Sequence, residues 1–177
     1  MVGAVLLLQG PVTAFAVLLG IGGAGKIRRP ASTVRAARAL GISAGSATIR
    51  LLAAGEVAIG CFVILSGNSL ASLLLALSYL GFTGVVVLAK AKVGSLSSCG
   101  CFGAPDTPPT ATHLVVTVAA SAVALLSVVR PAGPLLTALR DQPLAGIPFL
   151  FLTGCCVWFA YAALAILPRT SALVRSR

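Results

Sequence analysis

The sequence predicts an all-helical integral membrane protein, a bundle of four core transmembrane helices plus a fifth, C-terminal one. Three observations carry this. Of 177 residues, 58% are hydrophobic and 9% are charged, and a water-soluble domain of this length needs far more charge on its surface. Five apolar runs are each long enough at 1.5 Å per residue to cross a hydrocarbon core of roughly 30 Å. The apolar content is mostly Ala, Gly, Val and Leu rather than aromatic residues, which make up 6%. Small residues let helix backbones approach closely in lipid, where removal from water no longer drives packing. No internal repeat or soluble domain is visible, so residues 1–177 are expected to form a single membrane domain.

The first span is read over residues 2–25. It has no basic residue ahead of it and is longer than the apolar core of a signal peptide, so a true span is expected rather than a cleaved leader. Pro11 is expected to bend it at most, because neighbouring helices can satisfy the freed carbonyl. Lys26, Arg28 and Arg29 follow, and then a short segment in which Ser32 or Thr33 would cap a helix that Gly41 ends. Its arginines would face headgroups, with Val34, Ala37 and Leu40 toward the membrane; an ordinary basic loop is the alternative. The second span, residues 48–65, contains Glu56. A carboxylate inside an apolar helix is costly unless paired, protonated or facing a wet cavity, which makes Glu56 a candidate functional residue. An ion pair with Lys26 is the structural alternative. Residues 66–69 read as a tight turn.

The third span covers residues 70–89 and ends at Lys90 and Lys92. A polar connection over 90–112 follows, in which Pro105, Pro108 and Pro109 forbid a continuous helix. Thr110 or Thr112 would cap the fourth span, residues 113–129, which opens on His113. Prolines at 131, 134 and 143 mark a further connection, and the fifth span runs over 144–167 into a basic tail.

Alternation of the spans places the first–second and third–fourth connections on one membrane face. Lys26, His113, Cys99 and Cys101 then share that face, with Glu56 about two turns below it. The same face collects Lys26, Arg28, Arg29, Arg35, Arg38, Arg50, Lys90, Lys92, Arg169, Arg175 and Arg177; the other has Arg130 and Arg140. That excess assigns the cysteine face to the cytoplasm by the positive-inside rule. Thiol oxidation belongs outside the cytoplasm, so chemistry and charge point opposite ways. The basic residues flank spans instead of forming a basic domain with interleaved aromatics, which sets nucleic-acid binding aside.

Of five cysteines, Cys61, Cys155 and Cys156 lie in apolar runs, where cysteine is mostly a small hydrophobe. Cys99 and Cys101 lie in the polar connection, within Ser98-Cys99-Gly100-Cys101-Phe102-Gly103. A thiolate attacks a disulfide in line and a neighbouring thiol resolves the mixed disulfide, so a close pair suits thiol–disulfide exchange. A disulfide closing so short a loop is strained and oxidising, and Gly100 supplies the backbone freedom it needs. Lys90, Lys92 and the Lys26–Arg29 cluster would favour the thiolate. A structural disulfide is the main alternative. A metal held by Cys99, Cys101 and His113 fits no compact zinc pattern, and no metal is expected.

Several stretches together resemble the methylamine utilisation protein MauE family, within the wider MauE/DoxX-like group. They are Gly25-Lys26-Ile27-Arg28-Arg29-Pro30, residues 35–41, Glu56-Val57-Ala58-Ile59-Gly60, Cys99-Gly100-Cys101-Phe102-Gly103, and His113. The resemblance covers about residues 12–128 and is most specific in the cysteine stretch. It implies a multi-pass protein of the bacterial inner membrane, linked to disulfide formation in the small subunit of methylamine dehydrogenase alongside a thioredoxin-like partner. By that likeness Cys99 and Cys101 are the redox pair, and Lys26, Glu56 and His113 are supporting polar residues. The family often follows this histidine with Arg-Asn; here Leu114 and Val115 follow, so the polar support is thinner and the client differs or is open.

The expected function is therefore thiol–disulfide exchange with a thioredoxin-like protein or a thiol-containing client at one face of the lipid bilayer. Electrons released there need an acceptor, for which a quinone is a candidate, although no residue identifies a quinone site. A non-enzymatic assembly scaffold and a small-solute carrier using Glu56 are the alternatives.

Overall fold

The computed structural model of the chain describes residues 2–93, 111–141 and 143–166, and helices are the only regular structure among them. They are α1 (Val2–Arg28), α2 (Ala31–Ala39), α3 (Ser46–Ser66), α4 (Ser69–Val93), α5 (Ala111–Val129), α6 (Leu135–Asp141) and α7 (Pro143–Tyr161), the last continuing through a π-helical turn over Ala162–Ile166. Five are long and apolar enough to cross a membrane: Leu8–Arg28, Ser46–Ser66, Ser69–Ala91, Ala111–Val129 and Pro143–Leu164. The protein is a multi-pass helical membrane bundle. Its outer surface supports this, since Leu144 is 90% exposed and Phe151 73%, exposures that suit lipid and not water.

Packing begins with α1 against α3 and α4 against α5, with α5 and α7 also touching α1. The α1–α3 contact is built on missing side chains. A Cβ on Gly60 would lie 2.7 Å from the Ala16 carbonyl oxygen, and one on Gly23 would lie 2.7 Å from that of Ala53. The two backbones therefore touch, as small residues allow in lipid. On α4 the buried positions Ala71, Leu75, Ala76 and Tyr79 follow the three-and-four spacing of one helix face, and they meet Val12, Ala16 and Leu19 of α1 and Ala120 and Ala124 of α5 in the core. Pro11 lies inside α1, which runs through it.

The tight turn between α3 and α4 forms as the sequence predicts. Gly67 takes a left-handed conformation (φ 53°) and its N–H closes on the Val63 carbonyl, while Asn68 Oδ1 accepts the Ala71 N–H at 2.8 Å. The Gly133 N–H donates to the Gly67 carbonyl at 3.1 Å, and Gln9 Nε2 reaches the Gly133 carbonyl at 3.5 Å. This end of the bundle thus gathers the α3–α4 turn, the segment after α5 and the early part of α1. The α1–α3 and α4–α5 connections leave from the opposite end, as alternation requires.

Several local expectations are corrected. The first helix continues to Arg28, past the expected end at residue 25, which places Lys26 on the helix. Neither Ser32 nor Thr33 caps α2; Pro30 occupies that position with no side-chain cap, and Ser32 is buried inside the helix. Proline suits a helix start because its missing N–H would have no partner there. The bundle side of α2 carries Ser32 and Ala36, while Arg35 and Arg38 are exposed. Gly41 does follow the helix with φ 83°. Thr112 lies within α5 instead of capping it, and Thr110 is outside the described residues. The connection after α5 contains α6, which its prolines bracket without preventing.

Candidate functional site

Three of the polar residues singled out in the sequence meet at the end of the bundle from which the 94–110 connection leaves. Lys26 belongs to α1, Glu56 to α3 and His113 to α5. The close approach at Gly23 and Gly60 makes the first meeting geometrically necessary. Gly60 against Ala16 and Gly23 against Ala53 set an antiparallel register in which Glu56 lies nearly two turns deeper than Lys26. Side chains on a helix lean toward its N-terminus, so in antiparallel neighbours these two lean toward each other. Lys26 Nζ donates to both carboxylate oxygens of Glu56, at 2.6 and 2.7 Å. The side chains are 5% and 13% exposed, so the pair is withdrawn from solvent.

Aromatic groups complete the setting. Lys26 Nζ lies 4.4 Å from the centre of the Phe82 ring, a cation–π contact with α4. Phe82 and Tyr79 pack edge to face at 5.9 Å, and Tyr79 and Phe15 do so at 5.8 Å. The Tyr79 hydroxyl donates to the Phe15 carbonyl at 2.8 Å, which satisfies a polar group in an otherwise apolar layer. His113 is almost fully buried, and its carbonyl accepts the Thr117 hydroxyl at 2.9 Å. The Thr117 carbonyl in turn accepts from Ser121. Lys26, Glu56, Tyr79, Phe82, His113 and Thr117 border one internal cavity of about 30 Å³, closed on another side by Leu164 from the π-helical turn. That volume holds a water or two.

Sequence reasoning found Lys26, Glu56 and His113. It missed Tyr79, Phe82 and Thr117. Tyr79 gave a readable signal, as the one tyrosine inside the first four spans, with Phe82 three residues on and thus on the same face. Thr117, four residues after His113, gave a weaker one. Lys26, expected with its basic neighbours to favour a cysteine thiolate, has its ammonium paired with Glu56. The predicted redox pair Cys99 and Cys101, with Gly100, Phe102 and Gly103, lies outside the described residues. Cys61 and Cys156 are free and exposed on lipid-facing surface, and Cys155 is free and half-buried.

Comparison with known proteins agrees with the sequence resemblance. No curated protein and no solved structure matches the chain. The family model described as methylamine utilisation protein MauE matches residues 4–132, which takes in α1 to α5 and the connection carrying the Cys-Gly-Cys stretch, and stops before α6. With most of its length matched, the chain belongs to the methylamine utilisation protein MauE family.

Proposed function

We propose that this protein supports disulfide formation in a partner protein, using Cys99 and Cys101 as an exchanging pair at one membrane face, in the inner membrane of a bacterium. The observation that carries the reading is convergence. The connection bearing Cys99-Gly100-Cys101 leaves from the same end of the bundle at which Lys26, Glu56 and His113 are buried together, all within the family match. Burying an ion pair and a histidine beside one connection is expensive in lipid, and such groups are kept where chemistry uses them.

In the proposed reaction the pair starts oxidised. A client thiolate attacks one sulfur, the Cys99–Cys101 bond breaks, and a mixed disulfide forms. The client's second thiolate then displaces the remaining half, leaving a client disulfide and a Cys99/Cys101 dithiol. Each exchange step moves a proton on or off sulfur, and in this proposal His113 at the start of α5 carries it. The partner is a thioredoxin-like protein or the client itself. The carrier reading has less support, because Glu56 is already held by Lys26 through both carboxylate oxygens.

The test is labelling of Cys99 and Cys101 in intact cells with a membrane-impermeant maleimide, with and without prior reduction, in a background lacking Cys61, Cys155 and Cys156. Labelling only after reduction is expected, and it puts an oxidised pair on the outer face against the charge count. A pair labelled without reduction, and only in inverted vesicles, would sink the oxidative reading. Replacing both cysteines with serine is expected to abolish client oxidation; retained oxidation would leave a scaffold.

A further inference from the structure

The Lys26–Glu56 pair borders a second space. Beneath α2 lies a pocket of about 220 Å³, roofed by Ala37 and Leu40, walled by Ile49 and Leu52 of α3 and Val85 of α4, with Phe82 and the ion pair at its floor. Its roof is thinly held. α2 is a nine-residue helix joined to α3 through a non-helical stretch between Gly41, at φ 83°, and Gly45. Its border includes Ile42 and Leu52, which are 51% and 62% exposed and face lipid. A ligand would enter from the bilayer, not from water.

The floor states what the ligand must be. Lys26 has three N–H donors and places two of them on Glu56. Among the described residues, the third donor and the remaining lone pairs of Glu56 lie beside the aromatic face of Phe82, in walls that are apolar apart from Thr33 of α2. The pair is neutral overall, so an anionic lipid headgroup would set its charge against a carboxylate already in place. A neutral, lipophilic ring that accepts a hydrogen bond in one redox form and donates one in the other matches both members. The volume is below the ~300–1,000 Å³ of sites that enclose drug-sized ligands, which suits one ring with its tail outside in lipid.

We propose that the pocket beneath α2 is a quinone site, with Lys26 donating to a quinone oxygen and Glu56 accepting from a quinol hydroxyl. This rests on the thiol–disulfide reading and supplies what that reading lacks, an acceptor that returns the cysteine pair to its oxidised form. The step balances. Cys99 and Cys101 together lose two electrons and two protons as their S–S bond forms, and the two quinone oxygens gain both to give the quinol. The ion pair separates this pocket from the cavity beside His113, so protons have polar groups to follow toward the face of the cysteine connection.

The experiment uses the full chain in detergent micelles, decylubiquinone as the probe, and a photoreactive azidoquinone to map the site. Saturable binding is expected, with cross-links in α2 and the early part of α3. Ala37→Phe fills the pocket from its roof, away from the ion pair. It is expected to weaken binding at least tenfold while helix content and thermal midpoint stay within error of the parent. Absence of saturable binding, unchanged binding in Ala37→Phe, or cross-links confined to α7 would each overturn the site; displacement of the quinone by phosphatidylglycerol at equal concentration would also do so. In the Cys99→Ser, Cys101→Ser variant, quinone binding is expected to persist while dithiothreitol-driven quinone reduction falls to the uncatalysed rate. Reduction that survives without the cysteines overturns the thiol reading and leaves the site. Client oxidation that continues in a parent protein binding no quinone overturns the site and leaves the thiol reading.

Discussion

At the scale of single residues, the Lys26–Glu56 pair decides the character of the site. Two charges withdrawn from solvent are tolerated because the geometry is bidentate and a ring covers the ammonium. Glu56→Gln leaves that ammonium buried and unneutralised, and is expected to cost about 3–5 kcal/mol. The thermal midpoint in detergent checks this, and it should fall by several degrees. The double replacement Lys26→Met, Glu56→Leu should recover most of the loss, since an apolar pair of similar volume carries no such penalty. A double variant as unstable as the single one would mean that the pair is not the source of the effect. Tyr79→Phe removes one hydrogen bond, to the Phe15 carbonyl, and is expected to cost about 0.6–1.7 kcal/mol, the range for such bonds between membrane helices. The edge-to-face ring contacts remain, so a larger loss would point to a further role for the hydroxyl in the cavity.

At the scale of elements, the α1–α3 contact depends on two glycines whose absent side chains let the backbones meet. A Cβ on Gly60 would press on the Ala16 carbonyl at 2.7 Å, and neither backbone can yield locally. Gly60→Ala is therefore expected to cost about 1–3 kcal/mol, the range for overpacking. It should also separate Lys26 from Glu56 by moving α1. Gly20→Ala, on the partner helix α1 with nothing within 4 Å of the new Cβ, is the control and should be neutral or slightly stabilising, because alanine favours the helix. Thermal midpoints of the two variants compared side by side test this, and equal effects would refute the packing account. The turn at Gly67 is stricter. Its φ of 53° disfavours any side chain, and a Cβ would overlap the Gly133 backbone, so Gly67→Ala should unfasten the α3–α4 turn from the segment after α5.

At the scale of the whole molecule, the fold sorts the chain to two ends whatever its orientation. Single cysteines placed at Asn68 and Arg140, in a cysteine-free background, are expected to react with an impermeant maleimide from one side of sealed vesicles. Those placed at Ser43 and Lys90 should react from the other; all four positions are exposed. Two of these positions swapping sides would break the five-span topology. The α7 helix is the loosest part of the bundle, with only Gly146, Thr153 and Val157 buried, and the family match ends before it. Removing residues 133 onward would nonetheless take away Leu164, which closes the site cavity.

The sequence by itself determined the class, the number of spans, the turn at 66–69 and the shared end of Lys26, Glu56 and His113, because length, hydropathy and alternation are properties of the chain read in order. It also carried the family, through short stretches whose residue types are specific together. Only the tertiary structure decided which of these groups touch. Lys26 lay outside the expected first span, and whether it meets Glu56 depends on the helix continuing to Arg28 and on a register set by Gly23 and Gly60 against another helix. Tyr79, Phe82 and Leu164 join the site for the same reason. Membership of a cavity is a relation between helices distant in sequence, and each helix's own pattern records which face is apolar but not what that face will meet.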